Sequence, residues 1–416
     1  MGRRLAISLV VIASLAALLY PSGASARGAG SYIVVLEESV SNPRAVAAEH
    51  SGRFGAQVSH VYRHALKGYA ATLSSARLAA LRADSRVAFI SEDRAVQATA
   101  QTLPTGVNRT EGDRSSTASG NGSGSVNVPV AIIDTGIDVD HPDLNVVGGR
   151  NCSSGKSFDD GNGHGTHVAG TVAAKDDSQG VVGVAPGAPL YAVRVLNNAG
   201  SGSWSSVICG IDWVTANAAS TGIEVANMSL GGTGSDGACA SDALHKAICN
   251  SVGAGITYVV AAGNSNADFK DFVPAAYNEV LTVTAMADFN GQPGGGAAPT
   301  CRSDVDDTAA DFSNFTTTTN TADQAHTIAA PGVCINSTWK RGGYDTISGT
   351  SMASPHVAGT AALCIAGPCA GMTPSQVMQR LRSDAAARPS SYGFTNDPNS
   401  PNGNRYYGYL AYAGGY

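Results

Sequence analysis

No cysteine occurs before residue 152, the first of eight, so any covalent staple is confined to the later part of the chain. Charge is also scarce. Only 14% of residues are Asp, Glu, Lys or Arg, the net charge is −6, and no run of lysines or arginines appears. Nothing there can follow a phosphate backbone or grip an anionic membrane surface, which excludes nucleic acid and membrane as partners. Past residue 20 no apolar stretch approaches the roughly 18 residues that a membrane-spanning helix needs. No C-x-x-C pair is present, which removes the common zinc frameworks. What remains is ordinary for a soluble globular protein: 43% of the 416 residues are hydrophobic, enough for two or three domains with a large core.

The N-terminus has its own character. Arg3 and Arg4 precede an apolar run from Leu5 to Tyr20, followed by the small triplet Ala24-Ser25-Ala26. This pattern predicts a secretory signal peptide over residues 1–26 and a secreted, extracellular product. The two arginines are read as the positive charge of a general secretory leader rather than as a twin-arginine signal. In an exported chain an even number of cysteines predicts disulfides. The expected pairs are Cys239 with Cys249 and Cys364 with Cys369, then Cys301 with Cys334 and Cys152 with Cys209.

Residues 27–100 form a first unit. Tyr32 to Leu36, Gln57 to Tyr62, Gly68 to Leu73 and Val87 to Ile90 read as strands. Helices are expected from Asn42-Pro43 to about Phe54 and through Leu78 and Leu81. The order β-α-β-β-α-β is ferredoxin-like, a pattern shared by many unrelated functions. Its position says more. A small cysteine-free unit between a leader and a cysteine-bearing domain is where a removable pro-segment lies.

The second unit, residues 101–416, repeats apolar strands with helices between them. Strands are expected at Val130 to Ile133, Leu190 to Val195, Ile223 to Met228, Ile256 to Ala261, Val280 to Ala285 and Thr327 to Ala330. Trp204, Val207, Ile208, Ile211 and Val214 share one helical face, and Thr373-Pro374-Ser375-Gln376 forms a capping box. Such alternation predicts an α/β fold, a mostly parallel sheet flanked by helices, with function at the carboxyl ends of its strands. The segments 120–124 and 291–296, rich in glycine, are expected to be surface loops. Residues 388–416 are expected to be a surface strand or tail.

Three short stretches carry chemistry. Gly349-Thr350-Ser351-Met352-Ala353-Ser354-Pro355-His356 puts a serine at the start of an apolar helix, because Pro355 is tolerated only near a helix beginning. Free N–H groups at that end stabilise an oxyanion. Val130 to Ile133 run into Asp134-Thr135-Gly136, leaving a carboxylate where a buried strand opens into a turn. Gly163-His164-Gly165-Thr166-His167 places two histidines at another helix start, and either can act as a base. Metal use by that H-x-x-H is disfavoured, since zinc catalysis wants a third ligand and usually a neighbouring glutamate. Taken singly, these are a helix cap, a turn and a pair of histidines. Together they offer a weak nucleophile, an imidazole to take its proton and a carboxylate to orient the imidazole.

In those three motifs and their order, Asp then His then Ser, the second unit resembles the subtilisin-like serine endopeptidases, and the first unit resembles their inhibitor-type propeptide. Gln101 to Val107 and the cysteines are similar to the proteinase K branch. The resemblance implies a self-processing zymogen acting as a monomer on protein and peptide substrates, with its own propeptide as inhibitor. It assigns Asp134, His164 and Ser351 as the triad, and only the family motif selects His164 over His167. It also assigns Asn264 as an oxyanion donor, and Ser229, Leu230, Gly231, Gly232, Ala261 and Gly263 as the backbone that pairs with substrate. A structural calcium site is implied too. Its side-chain ligands are Asp143 and Asp177, its carbonyl ligands are Lys175, Gln179 and Val181, and the family's N-terminal ligand is not identified. The rival readings are an inactive binding protein on a protease scaffold and a lipase. The intact triad speaks against the first, and the absence of G-x-S-x-G around Ser351 against the second.

Overall fold

The computed structural model describes residues 29–93 and 101–416. The expected leader at 1–26 lies outside them, as do residues 97–100 of the stretch, about 97–103, where the resemblance to a self-processing zymogen implies cleavage. The described residues fall into two compact units. Among them, no helix is long and apolar enough to cross a membrane.

The first unit has the element order read from the sequence. It comprises β1 (Ala29–Leu36), α1 (Pro43–Phe54), β2 (Gln57–Tyr62), β3 (Gly68–Ser74), α2 (Ser75–Arg82) and β4 (Val87–Glu92). The strands pair antiparallel in the order β2-β3-β1-β4, the ferredoxin-like arrangement. Asn42 caps α1 by accepting the Ala45 N–H, with Pro43 in the first turn where a missing N–H costs nothing. Val34, Leu36, Val46, Tyr69 and Leu81 close the core.

In the second unit, β5 (Val130–Asp134), β6 (Val146–Asn151), α3 (His164–Ala173), β7 (Leu190–Arg194), α4 (Trp204–Thr221), β8 (Val225–Met228), α5 (Ala243–Gly253), β9 (Thr257–Ala261), β10 (Leu281–Ala287) and β11 (Thr327–Pro331) follow one another. A hairpin of β12 (Ile335–Trp339) and β13 (Gly343–Ile347) leads to α6 (Thr350–Ala366) and α7 (Pro374–Ala386). The main sheet runs β6-β7-β5-β8-β9-β10-β11 with all these strands parallel, and a short antiparallel strand, Thr308–Ala309, also pairs with β10. Side chains alternate across it. Val130, Ile132, Leu190 and Val259 join Val168, Val357 and Leu381 on one face, while Ala131, Ile133, Val193 and Val260 join Val207, Ile211 and Ile248 on the other. The sheet is thus buried on both faces, as continuous apolar strands require.

All eight cysteines are paired: Cys152–Cys209, Cys239–Cys249, Cys301–Cys334 and Cys364–Cys369, the expected set. Residues 388–416 are more than a tail. Arg405–Tyr406 pairs with Thr316–Thr317, and Tyr392, Phe394, Tyr407 and Leu410 pack with Met286 and Ala329. Fully buried Arg109 fastens this segment by donating to the Tyr392 and Gly393 carbonyls and to Asp307. Sequence patterning missed it because its apolar residues are aromatic and irregularly spaced, with no helical or strand period.

Candidate active site

Asp134 ends β5, fully buried, where the strand meets the turn Thr135-Gly136. The turn is latched by Asp160, a buried carboxylate that accepts from the Thr135 hydroxyl, from the Asn162 and Gly163 N–H groups, and from Thr166. This holds α3 so that its first residue, His164, faces Asp134. At Gly165 any Cβ would overlap the Gly136 carbonyl oxygen, so the close approach of helix and turn requires glycine. His164 Nδ1 lies 2.8 Å from Asp134 Oδ1. A carboxylate only accepts, so Nδ1 carries the proton and Nε2 holds the lone pair. Burial opposes charge on this ring, but the Asp134 carboxylate, aided by Asp160, outweighs it and raises the pKa above the ordinary 6.5.

The second histidine is built differently. His167 is buried, its Nε2 donates to the Ile335 and Asp345 carbonyls, and burial pushes its pKa down to about 3. His356 is likewise buried beside the Met352 carbonyl, with its pKa pushed down to about 4. Both are neutral core rings. The choice between His164 and His167, open in the sequence, has a geometric basis: only His164 meets a carboxylate.

Ser351 is the second residue of α6. Its backbone N–H has no intrahelical partner at that position. The preceding Thr350 is clamped, since both its N–H and its hydroxyl donate to Asn264 Oδ1 at 2.9 Å. That bond fixes the Asn264 amide with its oxygen toward Thr350 and leaves Nδ2 as the free donor. Pro355 lies one turn further into the helix than its usual place. Its missing N–H frees the Ser351 carbonyl, which accepts instead from the Ser229 hydroxyl at 2.8 Å. Ser229 in turn accepts from Asn227 Nδ2, and Ser354 donates to Asn227 Oδ1. This buried relay ties α6 to β8. The Ser351 hydroxyl itself donates to the Ser229 carbonyl at 3.2 Å, not to His164.

Ser229 to Gly232 follow β8 and wall two cavities. One, of about 690 Å³, includes His164, Trp204 and Val207; the other, of about 310 Å³, includes Ala261, Gly263, Asn264 and Ser351. The two share Leu230 and Gly231, so the histidine and the serine flank one continuous backbone ribbon. A Cβ at Gly231 would press on the Phe272 ring, which explains the glycine there.

Residues 125–409 match the family model described as Subtilase family, well over half of the chain. The chain belongs to the subtilase family. It is a serine-type endopeptidase, and residues 31–99 match the Peptidase inhibitor I9 model, so this subtilase carries an inhibitory propeptide domain. It is 41% identical over 297 residues to Subtilisin DY of Bacillus licheniformis, covering 70% of this chain and 95% of that protein. With Subtilisin E of Bacillus subtilis (strain 168) it shares 36% over 408 residues, 94% of this chain and 96% of that one. The crystal structure of a cold adapted subtilisin-like serine proteinase matches with a TM-score of 0.54 and 34% identity, over 69% of this chain and 89% of that chain.

A further cluster in this subtilase lies at the loop after α3. The Gln101 side chain donates to the carbonyls of Lys175, Gln179 and Val181, while its Oε1 is buried without a partner. Asp143 Oδ2 accepts from the Val181 N–H and Tyr344, and Asp143 Oδ1 is buried and unpartnered. Burial raises the Asp143 pKa. Asp177 is exposed and takes the Gln179 N–H. Asp176, one residue earlier, is buried and instead holds the glycine loop by accepting from the N–H groups of Gly120, Gly122 and Gly124. Gln101, Asp160, Asn227 and Ser354 were not singled out from the sequence. Only Asp160 had a local signal, standing four residues before His164 in a glycine-rich turn.

Proposed function

We propose that Ser351 attacks the scissile carbonyl of extracellular protein substrates, with His164 as base, Asp134 as its orienting carboxylate, and the Ser351 N–H and Asn264 Nδ2 on the developing oxyanion. The 2.8 Å bond between His164 and Asp134 is the observation that carries this reading, because it leaves Nε2 as the free lone pair beside the Ser229–Gly232 ribbon. On this reading a turn about χ1 of Ser351 would take its hydroxyl from the Ser229 carbonyl to that nitrogen; such bonds are often unformed without substrate. His164 takes the hydroxyl proton as the acyl-enzyme forms and returns it to the leaving amine. Ser229, Leu230, Gly231 and Gly232 on one side, and Ala261 and Gly263 on the other, hold the substrate as an added strand.

The same reading assigns residues 1–26 as leader, 27–100 as an inhibitor released by self-cleavage, and 101–416 as a secreted, monomeric enzyme. The four disulfides support a place in the proteinase K-like branch. A fluorophosphonate probe tests the centre: it should label the folded wild-type enzyme on the peptide containing Ser351, and failure to label would refute the assignment. Asn264→Ala should lower kcat by about 10²–10³ with KM little changed, as loss of one oxyanion donor does. Steady-state kinetics on a peptide amide would check it, with a melting curve to confirm that the variant is folded despite losing the two bonds from Thr350.

Calcium fits the loop cluster. Three carbonyl oxygens converge where the positive end of the Gln101 amide now lies, and two buried acceptor oxygens, Asp143 Oδ1 and Gln101 Oε1, lack donors. Gln101, Asp143, Asp177 and the carbonyls of Lys175, Gln179 and Val181 would hold it, an all-oxygen set suited to a hard cation. Bound there, the ion neutralises clustered oxygens and ties residue 101 to the loop. Chelation should therefore lower the melting temperature of the processed enzyme. Ion at a hundred times its Kd contributes about 2.7 kcal/mol, roughly 4 °C for a unit of this size. A melting curve unmoved by EDTA would remove the site.

A further inference from the structure

A third cavity, of about 550 Å³, is lined by Trp204, Asp236, Asp242, His245 and Tyr277 among others. His245 lies in the first turn of α5, and its side chain is only 2% exposed. Its ring stacks flat on Tyr277, with centroids 3.9 Å apart. Nε2 is 2.7 Å from Glu279 Oε2. Since an ionised carboxylate only accepts, Nε2 holds the proton and the neutral ring keeps its lone pair on Nδ1. That Nδ1 is buried and no hydrogen bond reaches it. What it faces is another acceptor, Asp236 Oδ1, 3.7 Å away. The other oxygen, Asp236 Oδ2, is fixed by the Asn278 amide at 2.6 Å. Asp242 is already committed, accepting from the His245 N–H at 2.9 Å and the Tyr277 hydroxyl at 3.1 Å.

Two lone pairs thus confront each other across a gap that no donor fills. The distance is too long for a hydrogen bond but suits a cation with bonds of about 2.0–2.2 Å to each atom. We propose that His245 Nδ1 and Asp236 Oδ1 bind one divalent transition-metal ion of the zinc class, with Glu279 as the outer carboxylate that fixes the histidine tautomer. The carboxylate–histidine–metal arrangement is the usual way a ligating imidazole is oriented. One nitrogen and one carboxylate suit Zn²⁺ or Co²⁺, whereas Ca²⁺ takes oxygen alone. Water in the cavity completes the shell. The ligands need little rearrangement, because the Cys239–Cys249 disulfide ties the loop carrying Asp236 to the helix carrying His245. That same bond removes both cysteines as thiolate ligands.

The test uses the full-length chain carrying Ser351→Ala, in buffer with calcium, titrated with Zn²⁺ by calorimetry and with Co²⁺ by tryptophan fluorescence. Trp204 walls the cavity and is one of three tryptophans in the chain, so Co²⁺ should quench emission as it binds. One equivalent of Zn²⁺ is expected beyond any bound at His164, whose cavity Trp204 also lines, and that equivalent with its share of the quenching should be lost when Asp236→Asn or His245→Gln is added. Asp236 is about one-third exposed, so its replacement leaves the packing intact even where His245→Gln disturbs it. Binding at His164 would be common to all variants and cancels in the comparison. Equal Zn²⁺ binding with and without Asp236→Asn would overturn the site. So would the absence of saturable binding, which would mean that a second proton on His245 fills the gap.

Discussion

Ser351→Ala is expected to lower kcat by about 10⁶-fold, the loss found when a serine nucleophile working with its base is removed. It should also yield a full-length, unprocessed chain and abolish fluorophosphonate labelling. The size follows from the division of labour. The helix start and Asn264 still bind an oxyanion in the variant, but no atom remains to form the ester, so only their residual contribution over water survives. Folding should be unaffected, because the hydroxyl's one bond, to the Ser229 carbonyl at 3.2 Å, is made at the edge of the cleft. Normal processing of the variant would assign maturation to another protease, and retained peptide hydrolysis would move the nucleophile elsewhere.

Asp134→Asn should lower kcat by about 10⁴-fold, because an amide at this position can donate to Nδ1 and hold the imidazole in the wrong tautomer. A second effect has a definite sign. His164 must be neutral to act as base, so kcat/KM should fall as pH drops through its pKa, which lies above 6.5 in the wild type. With the carboxylate gone, burial of the ring is opposed only by the more distant Asp160, and the acid limb of the profile should move to lower pH. A pH profile of the residual activity decides this. An acid limb that stays in place or moves upward would show that Asp134 does not set the charge of His164.

Much of this was readable along the chain because it depends on near neighbours. Apolar runs such as Val130 to Ile133 announce a strand buried on both faces whatever lies around them. Asn42-Pro43 and Thr373-Pro374-Ser375-Gln376 announce helix starts, and the structure has both caps. The segments around Asp134, His164 and Ser351 stood out because a side chain at a strand end or helix start needs small residues beside it. The edge strand Val146–Asn151 was missed, since glycines break its apolar pattern. So was the β12–β13 hairpin, whose Ser337 and Thr338 hydroxyls donate to α3 carbonyls rather than filling a core.

By itself, then, the sequence indicated the two units, most of the strands and helices in their order, the near cysteine pairs Cys239–Cys249 and Cys364–Cys369, and candidates for the reactive side chains. Each of these follows from periodicity, turn chemistry or short spacing. Only the tertiary structure decided which histidine meets Asp134, that Gln101 closes the loop of Lys175 to Val181, that Asn227 and Ser354 brace Ser351, and that His245 faces Asp236. The physical reason is that these are single polar contacts between residues far apart in the chain. A lone hydrogen bond leaves no period to read, and its partner is chosen by how the sheet and helices pack around it.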